Sequence, residues 1–82
     1  MRVLYFASLR ETLGTADESL PLSGASTVAA LLDTLRARGG VWAEALAEGK
    51  RWRVAVNQTM ATTDAALKAG DEVAIFPPVT GG

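Results

Sequence analysis

A single stretch of this chain is long and periodic enough to form a full amphipathic helix, and that constrains the fold more than any other feature. In "TVAALLDTLRARG", residues 27–39, Val28, Leu31, Leu32 and Leu35 fall at i, i+3, i+4 and i+7 and make one continuous apolar stripe. Ser26 or Thr27 is placed to cap its start, Arg36 and Arg38 occupy the last turn, and Gly39 is expected to close it. A shorter helix is expected over "WAEALAEG", residues 42–49, with Trp42, Ala45 and Leu46 on one side and Gly49 at its end. With no second long helix available, only one face of any sheet can be covered in this way.

The remaining apolar segments are short and β-rich. In "RVLYFAS" the sets Val3-Tyr5-Ala7 and Leu4-Phe6-Ser8 are both largely apolar, as expected for a central strand or one with a sticky outer face. Ser8 and Glu11 match a capping box and Gly14 supplies a left-handed stop, so "SLRETLG" reads as a short helical turn. "ESLPL" resembles an edge strand, with Pro21 tolerable at an edge or a strand end. "RWRVAVNQ" is a β-rich run leading into a turn at Asn57 and Gln58. After a loop carrying Leu67, "AGD" at 69–71 turns the chain into a last strand, "EVAIF". The first and last strands are the most apolar and are placed side by side at the centre. The fold class is therefore α+β, a ubiquitin-like β-grasp. It has a mixed, mostly antiparallel sheet, one main helix packed on one face, and a flexible C-terminal tail. The expected boundaries are 1–76 for the domain and 77–82 for an extended tail.

Composition narrows the chemistry. The 82 residues are enough for one small domain, and 49% hydrophobic with 21% charged residues is the balance of a folded globule. A formal net charge of -1 gives little drive toward nucleic acid or an anionic membrane. Lys50, Arg51 and Arg53 flank Trp52 in the tightest basic cluster, which reads as a solvated strand entrance with a half-buried aromatic. No apolar run approaches the ~20 residues of a membrane helix. The N-terminal "MRVLYFASLR" reads as a strand rather than an export signal, so a cytoplasmic protein is expected. With no cysteine and no histidine, the chain has no thiol nucleophile, no imidazole base and no conventional zinc site, and no metal is expected.

Two features point to function. If Val3, Tyr5, Val73 and Ile75 face the helix, then Leu4, Phe6, Ala74 and Phe76 face the open side and form an apolar patch of the kind that docks a partner. Coverage of that side by loops or by the second helix is the competing expectation. The patch lies at the root of the ending "FPPVTGG". Pro77 and Pro78 favour a polyproline-like exit, and Gly81 and Gly82 have no side chains to obstruct a narrow channel or attack at the terminal carbonyl. A free carboxylate on such a tether is a substrate for adenylation. Asp71 and Glu72 read as turn and edge-strand residues, and Asn57 and Gln58 as residues satisfying a turn.

"VLYFASLRETLG", "VAVNQT" and "AGDEVAIFPPVTGG" closely resemble the small, sulfur-carrier subunits of molybdopterin synthase, over the whole length and most specifically over the last fourteen residues. The resemblance implies that Gly82 is adenylated with ATP by an activating enzyme of the ubiquitin-activating type and converted to a thiocarboxylate, with no cofactor tightly bound by the chain itself. It implies that Pro77 to Gly82, including Val79, Thr80 and Gly81, inserts into the large subunit's active site within a heterotetramer. There sulfur passes to cyclic pyranopterin monophosphate, and the general acids and bases belong to the partner. Phe76, Leu4 and Phe6 are the expected docking residues, with Met60 and Arg10 extending that surface.

Three rivals remain open at this level. A carrier for another thio-cofactor, of the thiamine type, shares the fold and the Gly-Gly end but tends to lack "PPV". A protein modifier conjugated through Gly82 shares the activation chemistry. An interaction module with an inert tail predicts that losing Gly81 and Gly82 changes nothing.

Overall fold

The two most apolar strands do meet inside the sheet, and the rest of the fold is arranged around them. The computed structural model describes residues 1–21, 26–47 and 52–77. In chain order its elements are β1 (Arg2–Tyr5), α1 (Ala7–Leu13), β2 (Asp17–Ser19), α2 (Val28–Arg36), α3 (Gly40–Ala45), β3 (Arg53–Val56), β4 (Thr59–Ala61) and β5 (Glu72–Phe76). The sheet order is β2-β1-β5-β3-β4. The β1–β5 pair is parallel, with Val3 opposite Val73 and Tyr5 opposite Ile75, and the other three pairings are antiparallel. Glu72 therefore opens the middle strand of the sheet rather than an edge strand.

Alternation along the strands builds the core. Val3, Tyr5, Val54, Val73 and Ile75 point to one face and pack with Leu9 of α1, Val28, Leu31 and Leu35 of α2, Leu46 after α3, and Leu67 from the loop after β4. Leu32 is only partly buried at the margin of the α2 stripe. Trp42 and Ala45 pack against the same cluster, so α3 joins α1 and α2 on that face, and among the described residues no helix covers the opposite one.

The ends of α2 follow from its unpaired amides. Thr27 caps with its side chain, accepting from the Ala30 amide at 3.2 Å. The Val28 and Ala29 amides donate to the carbonyls of Ala65 and Thr63, so the loop after β4 is held by the helix it crosses. The helix spans its whole stripe but ends before the expected stop at Gly39: Ala37 is the C-cap, and Gly39, with φ 75°, leads into α3, which starts at Gly40 instead of Trp42. The start of α1 also differs from the capping-box reading. Phe6 is its N-cap residue, with no side-chain cap bond, while Gly14 closes it in the left-handed conformation as expected.

One polar cluster ties the β2 edge to the helices. The Tyr5 hydroxyl donates to Glu18 at 2.8 Å, and Arg38 grips the same carboxylate bidentately at 2.9 and 2.7 Å. The Arg38 guanidinium lies 4.4 Å from the centre of the Trp42 ring, which meets Tyr5 edge-to-face at 5.5 Å. Arg38 holds the Glu18 carboxyl below its usual range, and burial together with Glu18 pushes the Tyr5 hydroxyl well above its own.

Candidate functional site: the uncovered sheet face and the end of the central strand

The strand positions that alternate with the core residues meet on the open face. Register places Asp17, Leu4, Ala74, Ala55 and Met60 in one row across the sheet. Leu4 and Ala74 are half-buried, and Ala55 is buried between its small and flexible neighbours. Met60 is 55% exposed at the far end of the row, about three strand spacings, or ~14 Å, from Leu4. The next row toward the C-terminal end of β5 holds Arg53 opposite Phe76. Phe6, 46% exposed, lies one residue beyond the last β1–β5 pair and donates its amide to the Ile75 carbonyl at 3.2 Å.

Leu4, Phe6 and Phe76 are thus brought together at the point where β5 ends and Pro77 follows, and Met60 extends the same face. Arg10 is exposed but sits on α1 rather than on the sheet. Pro78, Val79, Thr80, Gly81 and Gly82 lie outside the described residues, as do Lys50, Arg51 and the helix end expected at Gly49. Arg53, read from sequence as part of a solvated basic cluster, belongs to this face. Its parity opposite Val54 in "RWRVAV" carried the signal, but only the β3–β5 register puts it beside Phe76.

At the other end of β5 a polar clamp fixes the β3–β4 hairpin. Asn57 donates its side-chain amide to Asp71 at 3.0 Å and accepts from the Glu72 amide at 3.0 Å, and Asp71 accepts from the Lys68 amide at 2.7 Å. These bonds hold the Asp71 carboxyl below its usual range, the Asn57 contact contributing most. Asp71 and Asn57 are therefore turn residues, as the sequence suggests. Among the described residues no group of histidine, cysteine, aspartate and glutamate side chains is placed to hold a metal ion. No helix among them is long and apolar enough to cross a membrane.

A parallel pair of central strands, a helix-packed face and an open apolar face define a ubiquitin-like β-grasp domain. Residues 3–82 match the model of the ThiS family, and the chain belongs to that family. It is 48% identical over 82 residues to the molybdopterin synthase sulfur carrier subunit of Escherichia coli (strain K12), covering all of this chain and 99% of that protein. It is 44% identical to the protein of the same name from Haemophilus influenzae, again over 82 residues, with the same coverage. Among solved structures it is similar to SAMP1 from Haloferax volcanii, with a TM-score of 0.79 and 31% identity, covering 99% of this chain and 97% of that one.

Proposed function

We propose that this chain is the sulfur-carrier subunit of a molybdopterin synthase, acting in molybdenum cofactor biosynthesis. The observation that carries the reading is full-length identity of 44–48% to sulfur carrier subunits of that enzyme, with the family match running to Gly82. In this reading the Gly82 carboxylate attacks the α-phosphate of ATP on an activating enzyme of the ubiquitin-activating type, releasing pyrophosphate. A sulfur donor then displaces AMP from the acyl-adenylate and leaves a thiocarboxylate. The chain docks on the large subunit through Leu4, Phe6, Phe76 and Met60, with Arg10 at the margin, in a cytoplasmic heterotetramer. Residues 77–82 form the tail beyond the 1–76 domain and carry the sulfur to cyclic pyranopterin monophosphate. Proton transfers fall to the partner in this reading, which fits a chain with no histidine or cysteine.

Intact-mass analysis of the protein from its own host, before and after alkylation, tests this. With no cysteine in the sequence, rapid stoichiometric alkylation mapped to Gly82 is the expected result. An unreactive Gly82 in cells making the cofactor would sink the reading. The match to SAMP1 favours one second reading, a protein modifier joined to lysines through Gly82. That reading predicts a ladder of covalent adducts in a denaturing pulldown, where the carrier reading predicts a stoichiometric, non-covalent partner. A carrier for a different thio-cofactor, such as thiamine, predicts alkylation at Gly82 but no transfer to the pyranopterin.

A further inference from the structure

The β1–β5 ladder stops at a chemically unusual point. Asn57 donates to the Glu72 carbonyl on the β3 side and Phe6 donates to the Ile75 carbonyl on the β1 side, so odd-numbered residues of β5 turn their backbone polar groups toward β1. In a parallel ladder the next bond would run from the amide of residue 77 to the Phe6 carbonyl. Residue 77 is proline and has no N–H to give. The Phe6 carbonyl accepts instead from the Leu9 and Arg10 amides, at 3.1 and 3.4 Å, in the first turn of α1. The chain reaches that arrangement by turning at Ala7, an exposed alanine with φ 52°, in the left-handed region that favours glycine.

We propose that Ala7 and Pro77 are paired positioning residues that end the β1–β5 ladder at Phe6 and Phe76 and so release the chain beyond them for delivery to a partner's active site. The delivery role rests on the carrier reading; the release itself does not. Proline withdraws the donor, and the turn at Ala7 hands the Phe6 carbonyl to α1, so neither partner of that rung is left waiting for the other. A residue with an amide at position 77 would compete with Leu9 and Arg10 for the Phe6 carbonyl and hold the chain against β1. Each delivery would then have to break that bond.

Three full-length chains made by chemical synthesis separate the missing donor from the proline ring. They are the natural sequence, Pro77→Ala, and a chain with N-methylalanine at position 77, which lacks both the ring and the N–H. In the free Pro77→Ala chain, the amide introduced at position 77 is expected to exchange with solvent about tenfold more slowly than an unbonded amide, the scale of one backbone hydrogen bond. The Leu9 and Arg10 amides should exchange faster. With the adenylating enzyme and ATP, pyrophosphate exchange should fall about threefold or more for Pro77→Ala and stay near the natural rate for the N-methylalanine chain. An unprotected amide at position 77 would overturn the proposal. So would equal activation of all three chains, or equal loss in both substituted ones. If the natural chain itself supports no pyrophosphate exchange, the carrier reading fails, while the amide protection still decides whether Pro77 releases the strand.

Discussion

At the scale of single residues, Ala7 and Phe6 are neighbours with opposite demands. Ala7 adopts φ 52° with no glycine's freedom and no burial, so its conformation is held by the strand before it and the helix after it. Ala7→Gly should stabilise the free domain by ~1 kcal/mol, a rise of about 4–8 °C in Tm at this size, and Ala7→Val should lower Tm, both read by thermal melts. Phe6 and Met60 are 46% and 55% exposed, so replacing them sacrifices little core packing. Phe6→Asp and Met60→Glu should leave Tm within about 3 °C of the natural chain while weakening binding to the synthase large subunit more than about tenfold in calorimetric titration. Strand parity made Leu4, Phe6 and Phe76 legible in advance. Arg53 was not, because the parity of a residue is useful only once the neighbouring strand and its register are known.

Among the elements, β4 has three residues and β2 has three, and each depends on polar contacts from outside itself. The β3–β4 turn sets Asn57 and Gln58 at φ 51° and 69°, and the Asn57 side chain reaches Asp71 and Glu72 to secure the hairpin. The β2 strand is held through Glu18 by Arg38 and Tyr5. Both carboxyl groups have folded-state values below their ordinary ones. The stability they contribute is therefore fully present above the unfolded carboxylate range, around pH 4, and is lost as pH falls through the depressed folded values. Urea midpoints measured from pH 6 down to pH 3 should drop steeply for the natural chain. They should fall less steeply for Asp71→Asn combined with Glu18→Gln, which starts lower. The stripe of α2 and the cap at Thr27 were readable because helix signals are local. The start of α1 was not: Ser8 and Glu11 have the right spacing, but the helix starts earlier, with the Phe6 carbonyl accepting from the Leu9 and Arg10 amides. The Tyr5–Glu18–Arg38–Trp42 cluster was equally hidden, since its members lie on separate segments that meet only after the sheet has formed.

For the whole molecule, the proposed carrier role divides labour between a sheet face that docks and a chain end that reacts. The division has a physical basis in the topology. Leu4, Phe6 and Phe76 lie at the end of the parallel pair from which Pro77 departs, so a partner seated on the open face is automatically placed beside Pro77. Docking energy then comes from apolar area on a rigid sheet, and the last residues can be slender and chemically plain, because positioning has already been supplied upstream. Removing Gly81 and Gly82 should accordingly leave Tm unchanged and the Kd for the large subunit within about threefold, since neither residue has a side chain to bury in a core or against a partner. The same deletion should abolish alkylation by thiol reagents after activation, as well as all sulfur delivery. A truncated chain that lost binding as completely as transfer would mean that affinity resides in the tail and that the sheet face is not the docking surface. Retained binding with transfer lost would locate recognition on the sheet and reactivity at the final glycine.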